Sequence, residues 1–73
     1  MAAPARNPLI DHLTGLVNVG RNVSRVRRDG ARVVFETDEG ESFCDVSNLD
    51  PFARQSAWNA LVMLVEMRIE VER

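Results

Sequence analysis

The sequence predicts a small α+β domain, ordered α-β-β-β-α, in which a three-stranded antiparallel meander packs against two helices. Two observations carry this prediction. An Asx-Pro pair followed by apolar residues occurs at Asn7-Pro8 and again at Asp50-Pro51. Between them the chain is rich in β-branched residues and interrupted by turn-forming pairs. With 73 residues there is room for one domain, so we expect a disordered tail over 1–6 and a single domain over 7–73.

The first helix is predicted over residues 8–18. Asparagine is a favoured N-cap because its side-chain oxygen accepts a hydrogen bond from an unpaired helix N–H. Proline suits the next position, where its missing N–H costs nothing. Gly20 follows as a helix-ending residue. The apolar residues recur at three- and four-residue spacing, as on one face of a helix: Leu9, Ile10, Leu13, Leu16 and Val17.

Three strands are predicted next, over 22–28, 31–37 and 41–46. The pair Asp29-Gly30 is a strong hairpin signal. If these two residues form the whole loop, Val26 lies opposite Val33. Arg27 then lies opposite Arg32, and two like charges opposed indicate a face that is solvated or meets an anion. Val23 and Val26 are three positions apart and would face opposite sides of a regular strand, which indicates a bulge or an early strand start.

The second helix is predicted over residues 51–68, with Asp50 as its cap and Pro51 at its first position. A start at Ser47 is an alternative. The last residues allow two interpretations. Arg68 and Glu72 stand four apart, which favours a continuing helix, whereas the alternation of Ile69 and Val71 is typical of a short strand. We expect the helix.

This second helix is more apolar than its own sheet requires. Six consecutive apolar residues, Ala60 to Val65, span the whole helical wheel at about 100° per residue. Two overlapping rows can face the sheet: Ala57, Leu61, Leu64 and Arg68, and Trp58, Leu61, Val65 and Ile69. Val62 and Met63, with Met67 nearby, then point sideways or outward. The excess predicts a protein interface formed by Trp58, Val62, Met63 and Met67, with self-association into a homodimer as one outcome. Alternatively, the first helix covers the side of the second helix that does not face the sheet.

The clearest polar feature is a cluster of five arginines in twelve residues: Arg21, Arg25, Arg27, Arg28 and Arg32. The cluster predicts contact with nucleic acid or with an acidic protein. Residues 1–35 carry six arginines against two aspartates (+4), whereas residues 36–73 carry nine acids against three arginines (−6). The alternative is therefore that basic and acidic strands lie side by side and neutralise each other.

No catalytic signature is present, and we predict no enzyme activity, cofactor, metal or small-molecule substrate. Cys44 and His12 are the single thiol and imidazole, and they belong to different predicted elements. The acidic run over 36–45 lacks the residue order of a calcium loop. A lone cysteine without a signal peptide or an apolar span indicates a cytoplasmic protein without membrane attachment.

The sequence thus predicts a non-enzymatic interaction protein that binds another protein or itself, with a nucleic-acid-binding module as the alternative. The element order is similar to that of double-stranded RNA-binding domains, but here the basic residues lie in the hairpin rather than at the start of the last helix, so that function is not transferred. In size the chain resembles accessory proteins of phages and mobile elements, anti-CRISPR proteins included. That resemblance implies a regulator or inhibitor that acts by steric occupation of a partner.

Overall fold

A computed structural model of the protein describes residues 6–72. The elements are α1 (Pro8–Asn18), β1 (Val23–Asp29), β2 (Arg32–Thr37), β3 (Gly40–Asp45), α2 (Pro51–Val65) and β4 (Glu70–Glu72). They form one sheet of order β3-β2-β1-β4 beneath two helices. The predicted α+β class, with its α-β-β-β-α order and its meander, is confirmed. Most of the predicted tail, residues 1–5, lies outside the described residues.

Both helices begin as the Asx-Pro pairs predict. The Asn7 side-chain oxygen accepts from the backbone N–H groups of Leu9 and Ile10, at 2.9 and 3.2 Å. The Asp50 carboxylate accepts from the N–H of Ala53 at 2.8 Å. Prolines occupy the first helical position in both cases. The same local device therefore starts the helix on either side of the meander.

The two helices pack on one face of the sheet and bury one core. Asn7 joins them directly, since its Nδ2 donates to the carbonyl of Ala57 at 3.0 Å. The weak Cys44 thiol donor lies 3.7 Å from the carbonyl of Pro8 and links β3 to the start of α1. The core is apolar throughout and comprises Leu9, Leu13, Leu16, Val26, Val33, Phe35, Val46, Ala57, Trp58, Leu61, Val62 and Val65.

The hairpin register differs by one residue pair from the expected one. Val26 pairs with Phe35 and Arg27 with Val34, so the predicted opposition of Arg27 and Arg32 is wrong. The ladder extends to Asp29 and Arg32, whose side chains form a 3.5 Å ion pair, and the loop is therefore residues 30–31. Gly30 supplies the positive φ (62°) that the first loop position requires. The predicted bulge is confirmed between residues 23 and 25.

The C-terminal segment is a strand, so the helix expected to continue to residue 68 and beyond is wrong. α2 ends at Val65 and a short turn leads to β4, which runs parallel to β1. Arg25 of β1 contacts Glu70 and Glu72 from one side of the sheet, while Val71 packs against the core on the other. The Ile69/Val71 alternation was the correct signal, because long-range pairing with β1 outweighs the helical i,i+4 contact.

Candidate interaction surface

The apolar run of α2 divides between the core and solvent. Leu61, Val62 and Val65 are buried against the sheet and α1. Ala60 and Met63 lie on the opposite side and are exposed. Because the run covers the whole helical wheel, its periodicity alone does not define the core-facing side; packing against the rest of the domain does.

The four predicted interface residues separate into two pairs. Trp58 and Val62 lie in the core of the chain, so the expectation that Val62 points outward is wrong. The side chains of Met63 and Met67 are 78% and 90% exposed. Leu64 was assigned to the sheet side, yet it is 57% exposed. Relative to the predicted orientation, the helix is thus rotated so that residue 62 is turned inward and residue 64 outward, while Trp58 faces the core as its sheet-facing row allowed.

One exposed apolar residue beside this surface was not predicted from the sequence. Phe52 is 82% exposed at the first turn of α2, eleven positions before Met63 and therefore, at about 100° per residue, on the same side of the helix. Its spacing from the methionines was the signal that could have found it. This exposed surface, the α2 stripe, comprises Phe52, Ala60, Met63 and Leu64 of α2 and Met67 of the turn that follows the helix.

An open groove of about 450 Å³ lies beside the N-terminal half of α2. Its wall is mainly apolar and is built from the start of α1, the loop before α2 and the first turns of α2. Pro8, Leu49 and Phe52 contribute to it, together with Ala53 and Ser56. The groove therefore joins one end of the α2 stripe and provides a concave apolar site next to a convex one.

The other broad surface is the outer sheet face, on the side of the sheet opposite the helices. Cross-strand pairing places Glu70, Arg25, Glu36 and Glu41 in one row across all four strands. In the next row Val34 is fully buried although it lies outside the helix-covered core. Its direct neighbours are Arg27 and Phe43, whose carbon atoms are available to cover it.

Two arginines of this face each bridge a pair of carboxylates. Arg25 lies 3.0 Å from Glu70 and 3.2 Å from Glu72. Arg27 lies 2.9 Å from Glu41 and 3.5 Å from Glu36. Hydrogen bonding to Glu70 raises the pKa of Arg25, and hydrogen bonding to Glu41 does the same for Arg27. The guanidinium groups are therefore held by acidic strands, as the opposite charges of the two chain halves indicated.

The five predicted contact arginines do not share one surface. Arg25, Arg27 and Arg32 lie on the outer sheet face, and Arg32 also stands over the Phe43 ring at 5.1 Å. Arg28 faces the helix side, 3.0 Å from the side-chain oxygen of Gln55 and 5.7 Å above the Trp58 ring. Arg21 precedes β1 and pairs with Glu39 at 3.3 Å. The cluster is continuous in sequence but divided in space.

The outer sheet face is formally acidic despite its arginines. Counting the residues whose pairing places them on that side, it carries three arginines and six carboxylates, for a net charge of −3. These are Arg25, Arg27, Arg32, Asp29, Glu36, Glu41, Asp45, Glu70 and Glu72. Hydrogen bonding to Ser47 lowers the pKa of Asp45, which favours the ionised form of that carboxylate. A polyanion approaching this face meets an excess of like charge.

His12 and Cys44 belong to the contact between α1 and the sheet. The His12 Nε2 atom lies 2.8 Å from the Ser42 hydroxyl, and its ring packs 4.9 Å from the Phe35 ring. Burial lowers the pKa of His12, and burial together with Asp45 raises the pKa of the Cys44 thiol. The Ser42 contact was not anticipated, because it joins residues thirty positions apart. Within residues 6–72, no acidic side chain hydrogen-bonds the second imidazole nitrogen.

No three histidine, cysteine or acidic side chains within residues 6–72 lie together as metal ligands. None of the helices in that range has the length and apolar character needed to cross a membrane.

No protein-family model matches the sequence, and neither a curated protein nor a solved structure matches the chain significantly.

Proposed function

We propose that this chain is a non-enzymatic protein-binding domain whose contact surface is the α2 stripe. The observation that carries the proposal is the exposure of four large apolar side chains along α2 and the turn that follows it, between 57% and 90%. Single scattered apolar residues are normal on a protein surface, whereas neighbouring exposed apolar residues such as Met63, Leu64 and Met67 mark an interaction site. Methionine is also common on adaptable binding surfaces, since it is flexible and polarizable.

The mechanism is steric. A small rigid domain that docks one helix on a partner occupies part of the partner's surface, which is the action of a regulator or inhibitor. The absence of an acidic partner for His12 within residues 6–72 favours a non-enzymatic role, because a nucleophile and base of the Ser42–His12 type need a third group that orients the base. A half-buried, unpaired Cys44 favours a cytoplasmic location.

Co-purification from the native host tests this proposal. Met63→Glu combined with Met67→Glu places two charges on the α2 stripe without touching the core. The matched control is Val19→Glu, which also makes an exposed apolar residue acidic but lies at the end of α1. We expect proteins that the wild type and Val19→Glu capture to be lost from the double variant. If the double variant captures the same proteins, the α2 stripe is not the contact surface.

A further inference from the structure

The side chains at the two ends of the α2 stripe, and of the residues beside it, differ in size. Toward the N-terminus the exposed Phe52 is followed on this side of α2 by the small side chains of Ala53, Ser56 and Ala60, and the open groove adjoins them. Toward the C-terminus three long apolar side chains project from the surface. The recessed half is formed by Ala53, Ser56 and Ala60, and the projecting half by Met63, Leu64 and Met67.

We propose that the α2 stripe binds the same stripe of a second copy of this chain, with the two helices antiparallel and a two-fold axis passing near Ala60. The inference rests on the proposed function and deepens it by naming the partner. In such a pair, positions equally distant from residue 60 meet across the interface. Met67 of one copy lies over Ala53 of the other, and Leu64 lies over Ser56. The two-fold axis makes each of these contacts occur twice.

This arrangement brings the projecting Leu64 and Met67 of each copy onto the small Ser56 and Ala53 of the other. Met67 of one copy reaches the groove beside Phe52 of the other, where a methionine sulfur and an aromatic ring attract each other. Ala60 meets its own copy at the axis, and two small side chains let the helices approach closely. A parallel pairing would instead place Met67 against Met67 and leave both grooves without a projecting side chain.

Charge also favours α2 over the outer sheet face as the self-contact. The charged residues at the ends of α2 are Asp50, Arg54, Glu66 and Arg68, whose formal charges cancel. The outer sheet face carries a formal −3, so two copies meeting there would repel each other. Antiparallel helices also place the positive N-terminal end of one beside the negative C-terminal end of the other.

The contact is small, which sets the concentration range of the experiment. α2 has 15 residues and is therefore about 22 Å long at 1.5 Å per residue. One helix face of that length falls below the roughly 800 Å² per partner of a standard interface. We therefore expect a reversible dimer with a Kd on the order of micromolar, visible by sedimentation between about 1 µM and 1 mM.

Sedimentation equilibrium of Ala60→Arg is the first test. The exposed side chain at residue 60 lies away from the core, so the fold should persist, yet two guanidinium groups would meet at the axis. We expect the dimer constant to weaken at least about 100-fold, in line with the cost of opposed like charges. Asn48→Arg, in the exposed loop before α2, adds the same charge elsewhere and should leave the constant within about threefold.

Disulfide trapping tests the direction of the pairing. In a Cys44→Ala background, Ala60→Cys should cross-link to its own copy, because the two residues face each other at the axis. Met67→Cys should not, since antiparallel helices separate the two copies of residue 67 by about 21 Å along the axis. A mixture of Met67→Cys with Ala53→Cys should form the mixed disulfide.

The outcomes separate this inference from the proposed function. A monomer at 1 mM, or a dimer that Ala60→Arg leaves intact, overturns the antiparallel dimer. Self-cross-linking of Met67→Cys without that of Ala60→Cys overturns it too. In each of those cases the protein-binding proposal still stands if stripe variants lose a captured partner. If the stripe variants lose neither self-association nor a partner, both fail.

Discussion

Asn7→Ala should destabilise the domain more than the loss of an ordinary helix cap, because Asn7 has two roles. Its side-chain oxygen caps α1 through the N–H groups of Leu9 and Ile10. Its side-chain nitrogen donates to the carbonyl of Ala57 in the middle of α2. One residue thus starts the first helix and attaches it to the second. Asp50, which starts α2 by the same Asx-Pro device, has only the capping role among these contacts.

The magnitude follows from the two roles. Removal of a capping oxygen costs about 1 kcal/mol, and loss of the hydrogen bond between the helices costs about another 1 kcal/mol. Asn7→Ala should therefore lower the free energy of unfolding by about 2 kcal/mol, and Asp50→Ala by about 1 kcal/mol. For a domain of this size, 2 kcal/mol corresponds to a Tm lower by about 8–16 °C.

Urea unfolding monitored by fluorescence measures both values, since Trp58 is the single tryptophan and lies in the core. Asn7→Ser separates the two roles: serine is a good cap but is too short to reach the carbonyl of Ala57. It should cost about 1 kcal/mol, midway between the wild type and Asn7→Ala. If Asn7→Ala costs no more than Asp50→Ala, the hydrogen bond between the helices contributes nothing to stability and the reasoning is refuted.

Three further predictions concern the core, the outer sheet face and pH. Leu61→Ala should cost about 3 kcal/mol in urea unfolding because the side chain is fully buried, whereas Met63→Glu should stay within about 0.5 kcal/mol; equal losses would contradict the assigned rotation of α2. Arg27→Glu should weaken any binding to single- or double-stranded nucleic acid and reduce its salt dependence; no binding by the wild type at low salt would eliminate that alternative. Burial lowers the pKa of His12 in the folded state, so as the pH falls the unfolded state binds a proton at His12 before the folded state does. The contribution of neutral His12 to the free energy of unfolding is therefore fully present above about pH 6.5 and is lost as the pH falls below that value. His12→Gln should flatten the dependence between pH 7 and 5 in urea titrations, and an unchanged slope would assign it to other groups.

The caps and the meander were predictable because their signals are local. An Asx side chain, a proline and the first apolar turn lie within a few residues of one another, and so do two strands and their loop. The hairpin loop lies one residue later than the Asp29-Gly30 signal indicates, because Gly30 with its positive φ takes the first loop position and Asp29 still pairs with Arg32 in the ladder. Turn propensity therefore located the hairpin but not its register.

The candidate surface was only partly predictable, because its orientation depends on tertiary packing. The excess of apolar residues on α2 was visible in the sequence, and so were the exposed methionines. The rotation that buries Val62 and exposes Leu64 was not, since six consecutive apolar residues offer several equivalent faces. The division of the arginines and the strand nature of residues 70–72 depend on partners 14 to 47 positions away in the sequence.

The short edge strand β4 is expected to be the part of the sheet that opens most readily. It has three residues, and its ion pairs with Arg25 are largely exposed, so they add little to its attachment. Local opening should therefore release β4 while β1, β2 and β3 remain paired, and the backbone amides of residues 70–72 should exchange with deuterium well before those of Val34 and Phe35. While β4 is detached, the backbone N–H and C=O groups along the edge of β1 can pair with a strand of another chain. The exchange rates of residues 70–72 would therefore also measure how often this edge of the sheet is open to such pairing.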